Sequence, residues 1–179
     1  FRVDVAEMVP TDFWVQARQE LDKTKKMFWL AEGEKPELHQ KAFDATYGWE
    51  MHHTLNEIAA YQGASRIKGA NVVQGNVKEG EKQIHKKTAL DIDSVLAKKT
   101  SQYQKGYQMQ FTSNHDENSW ADTEFARMGE GHKAFAVLTA TFNGFPLVYS
   151  GQESAMDKKL EFFKKDEIPW GDYKYAPFY

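Results

Sequence analysis

The stretch Gly106–Asn118, GYQMQFTSNHDEN, changes character halfway along. Tyr107, Met109 and Phe111 alternate with polar residues, which is the period-two pattern of a strand. The chain then runs directly into Ser113, Asn114, His115, Asp116, Glu117 and Asn118, groups that bind, donate and accept protons. A strand that delivers such a cluster at its C-terminal end is how α/β folds build sites. A second reading is a polar loop that caps the next helix, with Asn114 or Asp116 as the N-cap. The stretch alone leaves both readings open.

Working outward, Phe1, Val3 and Val5 predict a buried first strand closed by Pro10. Arg2 and Asp4 are two apart and share its other face. Opposite charges there are costly unless paired or functional, so they are either an ion pair bracing the sheet or part of a site. Thr11–Lys25 predicts an amphipathic helix, N-capped by Thr11, with Phe13 or Trp14, Ala17 and Leu21 as its apolar positions. Met27–Ala31 predicts a second strand that ends in Glu32 and Gly33, with Phe28, Leu30 and Glu32 on one face. Glu32 can instead be read as a first-turn acid favoured by the dipole of the next helix.

After a short turn at Pro36–Gln40, a third strand places Ala42, Asp44 and Thr46 on one face. Tyr47, Trp49, His52 and His53 follow it. The two adjacent histidines are spaced poorly for a metal pair and read as a solvated helix start. Leu55–Gly106 is interrupted by Gly63, Gly69, Gly75 and Gly80 and predicts one helix, from about Thr88 to Gln104, with Leu90, Val95 and Leu96 as its stripe. Gly75–Gly80 lacks the Gly-Lys-Ser/Thr ending of a phosphate loop. Gly131–Asn143 predicts a helix with Gly144 as C-cap, and Pro146–Tyr149 a buried strand turning at Gly151.

Strands alternating with helices argue for an α/β fold with a parallel sheet covered by helices. At 179 residues, 41% apolar and 14% aromatic, the chain has enough material for one packed domain. The formal charge of -3, with Lys and Arg scattered, gives no stripe for nucleic acid and no polybasic membrane patch. The absence of cysteine excludes disulfides and thiolate chemistry. No stretch approaches the ~20 apolar residues of a membrane span. The chain opens at Phe1, already strand-like and without a methionine, which predicts a piece of a longer protein.

Asp4, Glu32 and Asp116 thus fall at corresponding ends of three predicted strands. Three carboxylates with one Arg and one His suit glycosidic chemistry. One attacks, one of raised pKa protonates the leaving oxygen, and one binds sugar hydroxyls. Three acids also suit magnesium or manganese, although no phosphate loop accompanies them.

These residues carry a resemblance. Phe1-Arg2-Val3-Asp4-Val5-Ala6, Ala31-Glu32-Gly33, Phe111-Thr112-Ser113-Asn114-His115-Asp116 and Gly144-Phe145-Pro146-Leu147-Val148-Tyr149-Ser150-Gly151-Gln152-Glu153 occur in the order of the motifs of the α-amylase family, glycoside hydrolase family 13. The resemblance implies a partial (β/α)8 TIM barrel, roughly strands 4 to 8 with their helices, all within one catalytic domain. The first three strands and a C-terminal β domain would lie outside the chain. It implies Asp4 as nucleophile, Glu32 as general acid/base and Asp116 as transition-state stabiliser. Arg2, Asn114, His115, Tyr47 and Trp49 would be substrate-binding residues, with Trp120 as a further stacking candidate.

The implied substrates are α-1,4-glucans such as starch and maltooligosaccharides. Related transglycosylases, branching enzymes and α-glucosidases, or a silent carbohydrate-binding member, are the alternatives. No cofactor is needed for the chemistry and no metal ligand is assigned. The family often has a His four positions after the nucleophile, with a carbonyl that helps bind calcium. Here that position is Met8, so calcium in the complete enzyme would rest on the carbonyl alone. Five strands of eight leave two open edges, so the isolated chain is expected to be inactive and prone to aggregate. Export from the cytoplasm is implied by the polymeric substrate.

Overall fold

A computed structural model describes residues 1–63, 86–103 and 105–179. Its centre is a five-stranded parallel sheet in chain order. The strands are β1 (Arg2–Val3), β2 (Leu30–Ala31), β3 (Ala45–Tyr47), β4 (Tyr107–Phe111) and β5 (Phe145–Leu147). The helices are α1 (Thr11–Leu21), α2 (Pro36–Lys41), α3 (Trp49–Tyr61), α4 (Ala89–Gln102), α5 (Glu124–Met128) and α6 (His132–Thr141). A doubly wound sheet reverses its strand order part-way, whereas a (β/α)8 barrel adds each strand beside the last. The unreversed order here is that of consecutive barrel strands, as the sequence predicts.

Met109 and Phe111 lie on one face of β4 and Gln108 and Gln110 on the other, and all four are buried. Burial of both faces is the mark of a parallel sheet packed between layers. On one side Tyr47, Met109 and Phe111 pack with Leu30, Trp49, Phe145 and Leu147. Ala6, Trp29, Ala31, Leu38, Ala42 and Phe43 form a second cluster, against which Trp14, Val15 and Ala17 of α1 pack. A third joins Met51, Leu55 and Ile58 of α3 to Val95 of α4, Met128 of α5 and Phe135 of α6. No helix among the described residues is long and apolar enough to cross a membrane.

The elements are shorter than their patterns suggest. β1 stops at Val3 because Asp4 and Val5 turn away, and Phe1 and Val5 are half exposed rather than buried. β2 keeps only Leu30 and Ala31 of the expected Met27–Ala31, with Phe28 left half exposed. β5 is Phe145–Leu147 rather than Pro146–Tyr149. Backbone pairing nonetheless runs past these bounds, with Leu30 N–H donating to Phe1 O at 2.8 Å and Glu32 N–H to Val3 O at 2.9 Å.

Thr11 is the first helical residue and Pro10 holds the cap position, so the expected Thr11 cap does not form. Thr88 does cap α4, with Asp91 completing a capping box. α3 runs on to Tyr61, through residues the sequence left unassigned. The glycines at 69, 75 and 80 lie outside the described residues. Gly144, read as a helix C-cap, sits two residues beyond the actual C-cap, Phe142. Its role is different, because at φ +139° a Cβ would lie 2.1 Å from the Gln108 carbonyl oxygen. Only glycine lets the chain enter β5 against β4 there.

Candidate active site

Each of the first three groups is delivered by the end of a strand. β1 ends at Val3, and the turn through Asp4 and Val5 puts Val5 in the left-handed region, φ 40° and ψ 41°. That conformation is an outlier for a β-branched residue and costs about 1–2 kcal/mol. It aims the Val5 N–H at Glu32, whose Oε2 accepts at 2.7 Å. The next amide, Ala6 N–H, bonds the Glu32 carbonyl at 2.9 Å. The strained turn therefore locks the end of β1 onto the end of β2.

Arg2 ties the carboxylates together. Its Nη1 donates to Asp4 Oδ1 at 2.6 Å, its Nη2 lies 2.8 Å from Glu32 Oε1, and its Nε donates to the Tyr47 hydroxyl at 3.2 Å. Of the two alternatives for Arg2 and Asp4, the ion pair is present, and it stands at the strand ends beside Glu32. The Arg2 hydrogen bond holds the Asp4 carboxyl below its usual range. Burial pushes Glu32 above its usual value, with the charges of Asp116 and Asp4 adding to burial and the Val5 N–H and Arg2 opposing it. Two neighbouring carboxyls are thus driven in opposite directions, one toward ionisation and one toward holding a proton.

The Asn114–Asp116 segment resolves its two readings by division of labour. Asn114 is buried, and its Oδ1 accepts the Glu117 N–H at 2.8 Å while its carbonyl accepts the Asn118 N–H at 3.0 Å. These bonds hold the entry to the π-helical turn Glu117–Ala121, whose N-cap position is Asp116 with no side-chain cap bond. Asp116 faces the other way. Its carboxylate, the His115 imidazole and Glu32 each bring one ligand atom to within 4.8 Å of the others. His115 Nε2 is 3.6 Å from Asp116 Oδ2.

Asp4, Glu32, Asp116, Arg2, His115 and Tyr47 are therefore gathered at one place. Asn114 lies beneath it, and Trp49 packs edge-on against Phe111 with centroids 4.9 Å apart. Among solved structures the chain has a likeness that extends to sequence. A noncanonic maltogenic α-amylase from Thermotoga neapolitana is 26% identical and superposes with a TM-score of 0.69, over 99% of this chain and 37% of that one.

The structures the chain resembles are α-amylase family enzymes.

A debranching enzyme from Nostoc punctiforme (18% identity, TM-score 0.64, 88% of this chain and 34% of that one) shares the fold. So does an α-amylase from H. orenii (19%, TM-score 0.59, 94% and 32%). The chain spans about a third of the length of each of these structures, and its five parallel strands are those of a partial (β/α)8 barrel. No protein-family model and no curated protein sequence matches it.

Several features of the chain were not legible in its sequence. His52, expected in a solvated helix start, is 1% exposed. Its ring stacks on Phe111 at 4.7 Å, its Nδ1 lies 3.1 Å from the Phe111 carbonyl and its Nε2 lies 3.0 Å from Glu117 Oε2. Its Nε2 also lies 3.0 Å from the Asn56 Nδ2 amide. Burial beside it holds the His53 pKa down to about 4.

Arg127, wholly buried, donates to Asp122 O at 2.9 Å, Asn56 Oδ1 at 2.7 Å and Thr112 O at 2.9 Å. It also stands 3.7 Å from Glu117 Oε2. Glu117, next in sequence to Asp116, therefore points down toward buried His52 and Arg127 while Asp116 points into the site. Tyr149 was also missed. Its hydroxyl pKa is raised by burial and by the charge of Asp116.

The Glu32, His115 and Asp116 trio is the three-ligand group among the described residues. An imidazole with two carboxylates suits a transition metal better than calcium, which takes roughly six to eight oxygen ligands. Calcium enters no step below.

Proposed function

We propose that the chain is the working part of a retaining glycoside hydrolase acting on α-1,4-glucans. The observation that carries the reading is the Arg2-bridged pair, in which Asp4 is held ionised and Glu32 is held toward its protonated form. Asp4 attacks the anomeric carbon as Glu32 gives its proton to the departing glycosidic oxygen, forming a covalent glycosyl-enzyme. Glu32, now a carboxylate, takes a proton from water as the water displaces Asp4. Asp116 and His115 grip hydroxyls of the same sugar, and the build-up of positive charge on the ring is met by the two carboxylates of Asp4 and Asp116. The double displacement requires carboxyl groups ~5–5.5 Å apart.

Asp4→Asn in the full-length enzyme should abolish turnover of maltooligosaccharides while leaving their binding nearly intact. Unimpaired hydrolysis by that variant overturns the nucleophile assignment. A product profile on starch, maltotriose and pullulan then separates hydrolysis from glucan transfer and α-1,4 from α-1,6 cleavage.

A further inference from the structure

Each nitrogen of the Arg2 side chain has its own acceptor, and one of the three is unlike the other two. Nη1 and Nη2 face the carboxyls of Asp4 and Glu32, at 2.6 and 2.8 Å, whereas Nε donates to the Tyr47 hydroxyl at 3.2 Å. In the proposed cycle Asp4 passes from carboxylate to ester and back, and Glu32 from acid to carboxylate and back. The Tyr47 hydroxyl stays a neutral phenol throughout, and burial pushes its pKa above the usual range. Of the three acceptors, it is the one whose hold on the guanidinium does not change from step to step.

Tyr47 is also built to stay still. It ends β3 and is 4% exposed. Its ring meets Phe111 in a T-shaped contact and Trp49 in a tilted one, each with centroids 5.7 Å apart. Its N–H donates to Gly33 O at 3.1 Å, and its carbonyl accepts from Gln108 Nε2 at 3.2 Å. The residue is thereby tied to the segment just after Glu32 and to β4. Arg2 by contrast is a long side chain on a strand of two residues, and a third of it is exposed. A side chain locked by packing can fix one that is longer and freer. The guanidinium also lies 5.8 Å from the Tyr47 ring centroid, so ring and hydroxyl both bear on it.

We propose that Tyr47 is a positioning residue, whose hydroxyl keeps Arg2 set toward Asp4 and Glu32 through both displacements. It acts through Arg2 and not on the sugar, because so enclosed a ring offers a pyranose no face. Its loss frees the fork to follow whichever carboxyl is ionised at the moment, so the two are no longer held at once. The inference rests on the glycosidase reading above.

The test is a double-mutant cycle of Tyr47→Phe and Arg2→Met in the full-length enzyme, followed on maltoheptaose. Phenylalanine keeps the ring and its packing and deletes the hydroxyl alone, so the melting temperature should hold. In the Tyr47→Phe variant kcat should fall about tenfold with KM nearly unchanged, the effect of one hydrogen bond to a charged group. In the Arg2→Met background the same exchange should cost less than about twofold, because the group it acts through is gone. An equal loss in both backgrounds, or a rise in KM alone, makes Tyr47 a sugar contact and overturns the inference. So does an unchanged kcat, whether or not the melting temperature drops. Each of these results leaves the glycosidase reading standing; unimpaired hydrolysis by Asp4→Asn overturns that reading and this inference with it.

Discussion

Replacing Arg127 by methionine removes a buried cation whose fork reaches three backbone or side-chain oxygens beneath the site. The side chain is completely buried. Methionine fills the space of the aliphatic stem, so the expected cost is electrostatic rather than a cavity. Three acceptors, Asp122 O, Asn56 Oδ1 and Thr112 O, lose a charged donor. Glu117 loses its guanidinium at 3.7 Å and keeps only His52. Breaking one partner of such a buried pair costs about 3–5 kcal/mol, a large part of the ~5–15 kcal/mol by which domains are stable.

The assay is denaturant unfolding of the full-length enzyme, with the free energy extrapolated to water. The companion variant Glu117→Leu/Arg127→Met removes both buried charges. It should be more stable than Arg127→Met alone by about 2 kcal/mol, because the stranded carboxylate is gone. Arg127→Met costing under about 1 kcal/mol, or a double variant no better than the single, would refute the account of this network as a compensated charge cluster.

Two further outcomes follow from geometry already described. Arg2→Met takes away a cation that lowers both Asp4 and Glu32, so both pKa values rise. The proposed mechanism needs Asp4 ionised and Glu32 protonated, so both limbs of the kcat/KM–pH profile should move to higher pH, the basic limb by about one unit. A basic limb that moves down refutes the Glu32 assignment. Gly144→Ala should cost about 3 kcal/mol in unfolding experiments, since its Cβ meets the Gln108 carbonyl. Gly63→Ala, left-handed but facing open space, should cost only about 1 kcal/mol, and equal costs would sink the close-approach argument.

What could be read from the residues was the part in which chemistry and periodicity coincide. Asp4, Glu32 and Asp116 each follow an apolar run, so their place at strand ends was visible without coordinates. The strand lengths were not, because pairing in a barrel stops where the backbone turns, and nothing in FRVDV announces a left-handed Val5. The buried network was hidden for a different reason. His52, Asn56, Glu117 and Arg127 are polar residues scattered over 76 positions of sequence, and their burial depends on one another. Each in isolation looks like surface. Gln108 and Gln110 likewise pass for the wet side of a strand, although both are enclosed.

Val5 has one more consequence. The group that holds Glu32 is a main-chain amide, so it cannot be deleted by exchanging a side chain at that position. Any residue except proline carries the donor. What evolution can tune there is the ease of reaching the left-handed turn, with glycine or asparagine relaxing it and branched residues opposing it. The grip on Glu32 is in this sense insulated from point mutation, and the sequence at position 5 is free to record stability alone. A search for the residue that orients Glu32 by side-chain identity would look at the right place and find only a valine.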